Sequence, residues 1–251
     1  NNGDGNRYEN AVINDVRFTG VTEYVVGSFL PETKISNVYS EITLKPQSYA
    51  AAVFPGESCI VENLTLRGAQ MIASITDTDK KVEIRNVDYD DTMYDHGLYG
   101  SSLFLTKDAH MTLSNAKVRS DKMCYLFFDN YPGQTAYKYN VQADIDNLTL
   151  DFLKDSGSWF LYVYGNNHAW DISIRNSSFV FNGSSRGFVG LMSSESSLEA
   201  MKLSLDNVDV IYNKIDSGST IPFGYVILSE KDRLKMKDVK VYNNSGVPFS
   251  S

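Results

Sequence analysis

One six-residue pattern returns along the whole chain and leaves few folds open to it: apolar, any residue, Asn, apolar, any residue, apolar. It reads Ile145-Asp146-Asn147-Leu148-Thr149-Leu150, and copies are centred on Asn37, Asn63, Asn86, Asn115, Asn176 and Asn207. Two weaker copies carry Asp at the central position, Asp15 and Asp238. The nine anchors are separated by 22, 26, 23, 29, 32, 29, 31 and 31 residues. A strand-like unit repeated at that length predicts a solenoid.

Within each copy apolar and polar positions alternate, then change register at the Asn, so two short strands meet at a bend. Asn suits such a bend because it tolerates left-handed backbone and its amide can bond neighbouring main chain. A third apolar run follows each anchor, for example Met71-Ile72-Ala73, Leu103-Phe104-Leu105, Tyr125-Leu126-Phe127-Phe128 and Phe160-Leu161-Tyr162-Val163-Tyr164. Three short parallel strands per repeat make one coil of a β-helix. A β-sandwich also delivers strands every ~8–12 residues, but it has no reason to repeat one motif at every third strand.

The expected fold is all-β: a right-handed parallel β-helix of about nine coils and three short parallel sheets. Residues 1–251 form one domain, because a solenoid has no internal boundary and the repeat shows no break. Neither end has a visible helical cap, which reads as part of a longer chain. No apolar stretch approaches the about 18 residues of a membrane span, so membrane insertion is not expected. A net charge of −8 without a Lys/Arg cluster argues against nucleic acid. Cys59 and Cys124 fall about two coils apart at ~4.8 Å per coil, beyond disulfide reach, and read as small buried hydrophobes.

The repeat also accounts for most charges. One residue before the anchor stand Glu62, Arg85, Ser114, Asp146, Arg175, Asp206 and Lys237; four after it stand Arg67, Asp90, Arg119 and Asp151. Opposite signs alternate along these outward columns, as cross-strand pairs should. Sequons occur at Asn63, Asn147, Asn176, Asn182 and Asn243. The first three are anchors, expected to be buried and so closed to glycosylation.

The repeated Asn at a tight bend, with three strands per coil, resembles the right-handed parallel β-helix of the pectate-lyase-like superfamily over residues 13 to 241. The texture also resembles exported β-helix proteins of gut Bacteroidetes. That resemblance implies a secreted or cell-surface protein, and a saccharide lying along the first sheet, built from the third apolar runs. It implies acidic calcium ligands and a Lys or Arg base in the calcium-dependent enzymes. Here the eight first-sheet runs contain no Asp, Glu, Lys, Arg or His, so calcium is unsupported, no cofactor is expected and catalytic groups would have to come from loops.

Two excursions could supply them. The first, Asp90 to Ser101, holds Asp91, Asp95 and His96 between Tyr94 and Tyr99; the second opens at Asp129 and includes Tyr131. The three His fall in different coils, so no metal site is expected. If Asp129 points outward, strand parity turns Phe127 outward, and Phe104, Tyr162 and Tyr164 with it; Trp159 stands at the entrance of its strand. An outward strip of aromatics calls for a cover: a sugar chain, a partner chain, or the protein's own loops. The sequence thus points to a polysaccharide-binding surface formed by Tyr94, Tyr99, Phe104, Phe127, Tyr131, Trp159, Tyr162 and Tyr164. One alternative is a polysaccharide lyase or glycoside hydrolase using Asp91, Asp95, His96 or Asp129. The other is a phage tailspike or adhesin segment whose aromatic strip is an oligomer interface.

Overall fold

The fold turns on its anchors. All nine, Asp15, Asn37, Asn63, Asn86, Asn115, Asn147, Asn176, Asn207 and Asp238, hold positive φ between 51° and 59°. The computed structural model describes residues 10–20, 24–28, 30–42, 51–69, 71–76, 81–92, 101–107, 109–121, 124–128, 139–155, 159–164, 168–192, 201–216, 220–223 and 234–250.

With strands numbered in chain order, nine of them stack side by side in one parallel sheet. They are β1 (Val12–Gly20), β3 (Lys34–Ile42), β5 (Ile60–Arg67), β7 (Val82–Asp90), β9 (Ala109–Ser120), β11 (Tyr139–Phe152), β13 (His168–Phe181), β15 (Met201–Tyr212) and β16 (Leu234–Asn243). Each runs straight through its anchor. The two strands expected on either side of the bend are therefore one kinked strand, and two of the three expected sheets are one bent sheet. The remaining wall comes from the third apolar runs: β2 (Tyr24–Ser28), β4 (Ala51–Pro55), β6 (Met71–Thr76), β8 (Ser101–Lys107) and β10 (Cys124–Phe128) form a five-stranded parallel sheet. Beyond it β12 (Trp159–Tyr164) pairs with β14 (Gly187–Met192), and Val189 bridges to Phe223.

The chain is a parallel β-solenoid without helix among the described residues. Its turns number about five rather than the expected nine. Nine strands stack in the bent sheet, but the facing sheet is continuous across only five.

The core follows from the repeat. Two residues before the anchor, Ile35, Val61, Ile84, Leu113, Ile145, Ile174 and Leu205 are buried, and one residue after it so are Val38, Leu64, Val87, Ala116, Leu148 and Val208. Five residues after the anchor the inward column changes character along the axis. It holds Asp91 and Ser120, then Phe152, Phe181 and Tyr212, whose rings stack at 4.8 Å and 4.8 Å. Such ring pairs contribute roughly 0.5–1.5 kcal/mol each beyond their area. Phe249 closes the stack edge-on, 5.3 Å from Tyr212.

Outside, the anchors are tied to one another. The Asn37 amide donates to Asp15 at 3.2 Å, Asn63 to Asn37 at 3.0 Å, Asn86 to Asn63 at 3.0 Å, Asn115 to Asn86 at 3.3 Å and Asn147 to Asn115 at 2.9 Å. The row steps aside at Asn176, which donates to Asp146 at 2.8 Å, and resumes with Asn207 to Asn176 at 3.0 Å. A shorter second row leads from Asn244 to Asn213 at 3.0 Å and from Asn213 to Asn182 at 2.8 Å. All nine anchors are exposed. The expectation that Asn63, Asn147 and Asn176 are buried is therefore corrected: a left-handed residue at a convex corner turns its side chain to solvent.

The charge columns are ion pairs, as expected: Arg85 to Glu62 at 3.1 Å, Arg175 to Asp146 at 3.2 Å, Lys237 to Asp206 at 3.2 Å and Arg119 to Asp90 at 3.8 Å. Arg67 leaves its column for Asp88, at 2.6 Å. Cys59 is a buried free thiol, its ionisation pushed up by burial.

Two outcomes are expected. Asn115→Ala should cost about 2 kcal/mol, because it strains a left-handed position and removes two amide bonds, while Asn115→Gly should cost about half as much by sparing the backbone. Urea unfolding midpoints of the two variants measure this, and equal losses would remove the backbone's share. The second outcome concerns acid. Hydrogen bonding from Asn176, then Arg175, holds the Asp146 carboxyl below the usual carboxylate range. Its folded pKa is depressed, so its contribution is present above the unfolded carboxylate pKa and is lost as pH falls through the folded value. Asp146→Asn should flatten the acid limb of the melting temperature profile slightly, since the group is partly exposed and screened by solvent.

Candidate functional site

The aromatic strip was expected on the outer face of the third-run sheet, and Phe104, its member in β8, is not free there. In β8, Leu103 and Phe104 are successive residues and both are 0% exposed. Ala51, Ala52 and Val53 of β4, and Met71, Ile72, Ala73, Ser74 and Ile75 of β6, are buried without alternation. Both faces of this wall are withdrawn from solvent at these positions. Phe104 is therefore no open platform, and parity alone does not assign its face, because parity distinguishes faces only where one of them is wet.

Trp159 is also corrected as an open stacking platform: it is 7% exposed. Its indole lies against two glycines of the next strand, close enough that a Cβ at Gly190 would sit 2.4 Å from the ring. Gly187 is the register partner of Trp159, and Gly190 that of Tyr162. The ring is thus seated in a gap that two missing side chains provide.

Of the other aromatic candidates, Phe127 lies in β10 opposite Phe104, and Tyr162 and Tyr164 lie in β12, Tyr164 opposite Met192. Tyr94, Asp95, His96, Tyr99, Asp129 and Tyr131 fall outside the described residues.

Asp91 is described in full, and it is an interior residue rather than part of a surface loop. It is 1% exposed. Its Oδ2 accepts the Ser120 hydroxyl at 2.7 Å, and its Oδ1 accepts the Asp121 backbone N–H at 3.0 Å. The Tyr89 hydroxyl lies 3.4 Å from the same Oδ2 and gives its proton to the Ala69 carbonyl, at 2.7 Å. A buried carboxylate is tolerable only when its oxygens are met by donors, and here the Ser120 hydroxyl and the Asp121 N–H meet one oxygen each. They tie the end of β7 to the end of β9. Asp91 offers no face to a substrate.

Among the described residues no three His, Cys, Asp or Glu side chains gather around a common point. His110 and His168 lie on β9 and β13, in different coils.

The group that sequence reasoning missed is the exposed amide row. Each Asn amide has two N–H donors and two carbonyl lone pairs. A rung such as Asn86 spends one N–H on Asn63 and one lone pair on Asn115. One donor and one acceptor remain for an outside partner at each of Asn63, Asn86 and Asn115, repeated along the axis at the strand spacing of ~4.8 Å. The motif that revealed the bend also carried this row; the missing step was which way a left-handed corner residue points.

No protein-family model, curated protein or solved structure matches the chain.

Replacing Asp91 separates the structural role from a catalytic one. Asp91→Asn should lower stability by roughly 1–3 kcal/mol, because an amide N–H then faces donors. Thermal unfolding measures the change, and an unchanged midpoint would return Asp91 to the catalytic candidates.

Proposed function

We propose that this chain is a non-catalytic solenoid that binds a polysaccharide lying parallel to the coil axis, in a secreted or cell-surface setting. The observation that carries the reading is the exposed amide row. A glycan is a linear polymer whose hydroxyls each donate and accept one hydrogen bond, and the rungs Asn63, Asn86 and Asn115 each have one donor and one acceptor to spare. The ion-paired columns beside the anchors leave little net field there, which suits a neutral polymer.

The amide row is preferred to the aromatic strip because Phe104 and Trp159 are already packed. Membership of the pectate-lyase-like superfamily is part of the same proposal, supported by the nine left-handed anchors and the parallel coils. The interior placement of Asp91 weighs against a lyase or hydrolase reading.

A glycan array on the purified chain tests the proposal, with each retained glycan incubated and checked for shortened or unsaturated products. Retention without product is expected. The double variant Asn86→Gly, Asn115→Gly keeps the left-handed bends and should weaken retention about thirtyfold, from two lost hydrogen bonds of ~1 kcal/mol each. Phe127→Ala and Tyr162→Ala should leave it unchanged. The reverse pattern would make the aromatic strip the site, product would make the protein an enzyme, and no retention on any glycan would remove the reading.

A further inference from the structure

The ninth strand ends the bent sheet, and no described strand pairs with its far edge. Of five exposed large hydrophobics among the described residues, three lie on it: Met236 at 52%, Val241 at 38% and Tyr242 at 41%. Met236, Val239 and Val241 continue the inward columns of Leu205, Val208 and Val210, with which they are in register. An open edge with an apolar inner face is a template for another strand.

Its side chains specify which strand. Lys237 extends the alternating column Asp146, Arg175, Asp206, and bonds Asp206 at 3.2 Å while its side chain stays 71% exposed. Lys240 stands opposite Asp209 in register and is exposed. The next member of both columns is acidic. The anchor adds a third constraint. Each bond from one anchor to another donates toward the N-terminus, and the row starts on a carboxylate, Asp15, which accepts from Asn37. Asp238 is again a carboxylate, exposed and able only to accept, so it calls for an amide on the following rung.

We propose that the edge of β16 binds, by parallel strand addition, an extended segment of another protein with the pattern apolar, acidic, Asn, apolar, acidic, apolar. The acids meet Lys237 and Lys240, the amide meets Asp238, and the apolar residues cover Met236, Val239 and Val241. A second copy of this chain stacked head to tail is the wrong partner. In the same register its β1 would set Asp15 on Asp238 and Arg17 on Lys240, two like-charge contacts.

The chain's own Leu205-Asp206-Asn207-Val208-Asp209-Val210 has the required pattern, so a labelled peptide of residues 203–212 is the probe. Fluorescence anisotropy with the full-length chain should show saturable binding that weakens with salt. The same peptide carrying Asp206→Lys and Asp209→Lys should bind at least about tenfold more weakly. The protein variant Lys237→Glu, Lys240→Glu should reverse that preference, and because both sites are exposed its melting curve serves as the check on folding. Equal binding of the two peptides, or none by either, overturns the proposal. A concentration-dependent oligomer of the unmodified chain in sedimentation, abolished by the lysine variant, also overturns it by making a second copy the occupant.

Discussion

A parallel solenoid must turn its chain at the same place in every coil, and this one does so with a single residue at positive φ. An L-residue pays about 1–2 kcal/mol for left-handed backbone, and Asn or Asp is the side-chain class that recovers it through local hydrogen bonds. Here recovery comes from the neighbouring coil: at Asn63, Asn86, Asn115, Asn147 and Asn207 the amide bonds the anchor before it, so the strained conformation and its compensation repeat together. Everything else hangs on that register. The apolar columns fall into line, the charges fall beside their opposites, and the ring stack of Phe152, Phe181 and Tyr212 forms only because successive strands are neither advanced nor delayed.

The interior is not uniform along the axis, and the change has a physical reading. At the position five residues after the anchor, the coils of Asp91 and Ser120 fill the column with a small hydrogen-bonded network, and the coils of Phe152, Phe181 and Tyr212 fill it with rings. Small polar groups leave a narrow coil, while rings demand a wider one. The glycine-seated Trp159 and the division of the second wall between β10 and β12 both fall where the rings take over.

The repeat made the fold legible in the sequence, because an apolar period and a bend residue are both local signals. The facing wall was misread for a reason visible in the same residues. Runs such as Met71-Ile72-Ala73 and Leu103-Phe104-Leu105 hold no charged residue, and physically that is the mark of a parallel strand buried on both faces. Alternation cannot be assigned to such a run, so Phe104 was turned outward without a wet face to fix it. Asp91 was misplaced in a similar way. One residue beyond β7 reads as the start of a loop, yet the inward column extends to that position, as Phe152 in the equivalent place already hinted.

The polarity of the amide row bears on the two described anchors that are carboxylates. A row in which every amide donates toward the N-terminus needs only an acceptor at its first rung, and Asp15 supplies one, receiving Asn37 and also its own neighbour Asn14 at 2.8 Å. At Asp238 an Asn could donate to the Asn207 carbonyl, as Asn207 donates to that of Asn176. An Asp offers no donor and presents only acceptors to whatever follows. Among the described rungs the two carboxylates thus differ in role: Asp15 accepts the amides of Asn37 and Asn14, and Asp238 offers acceptors alone.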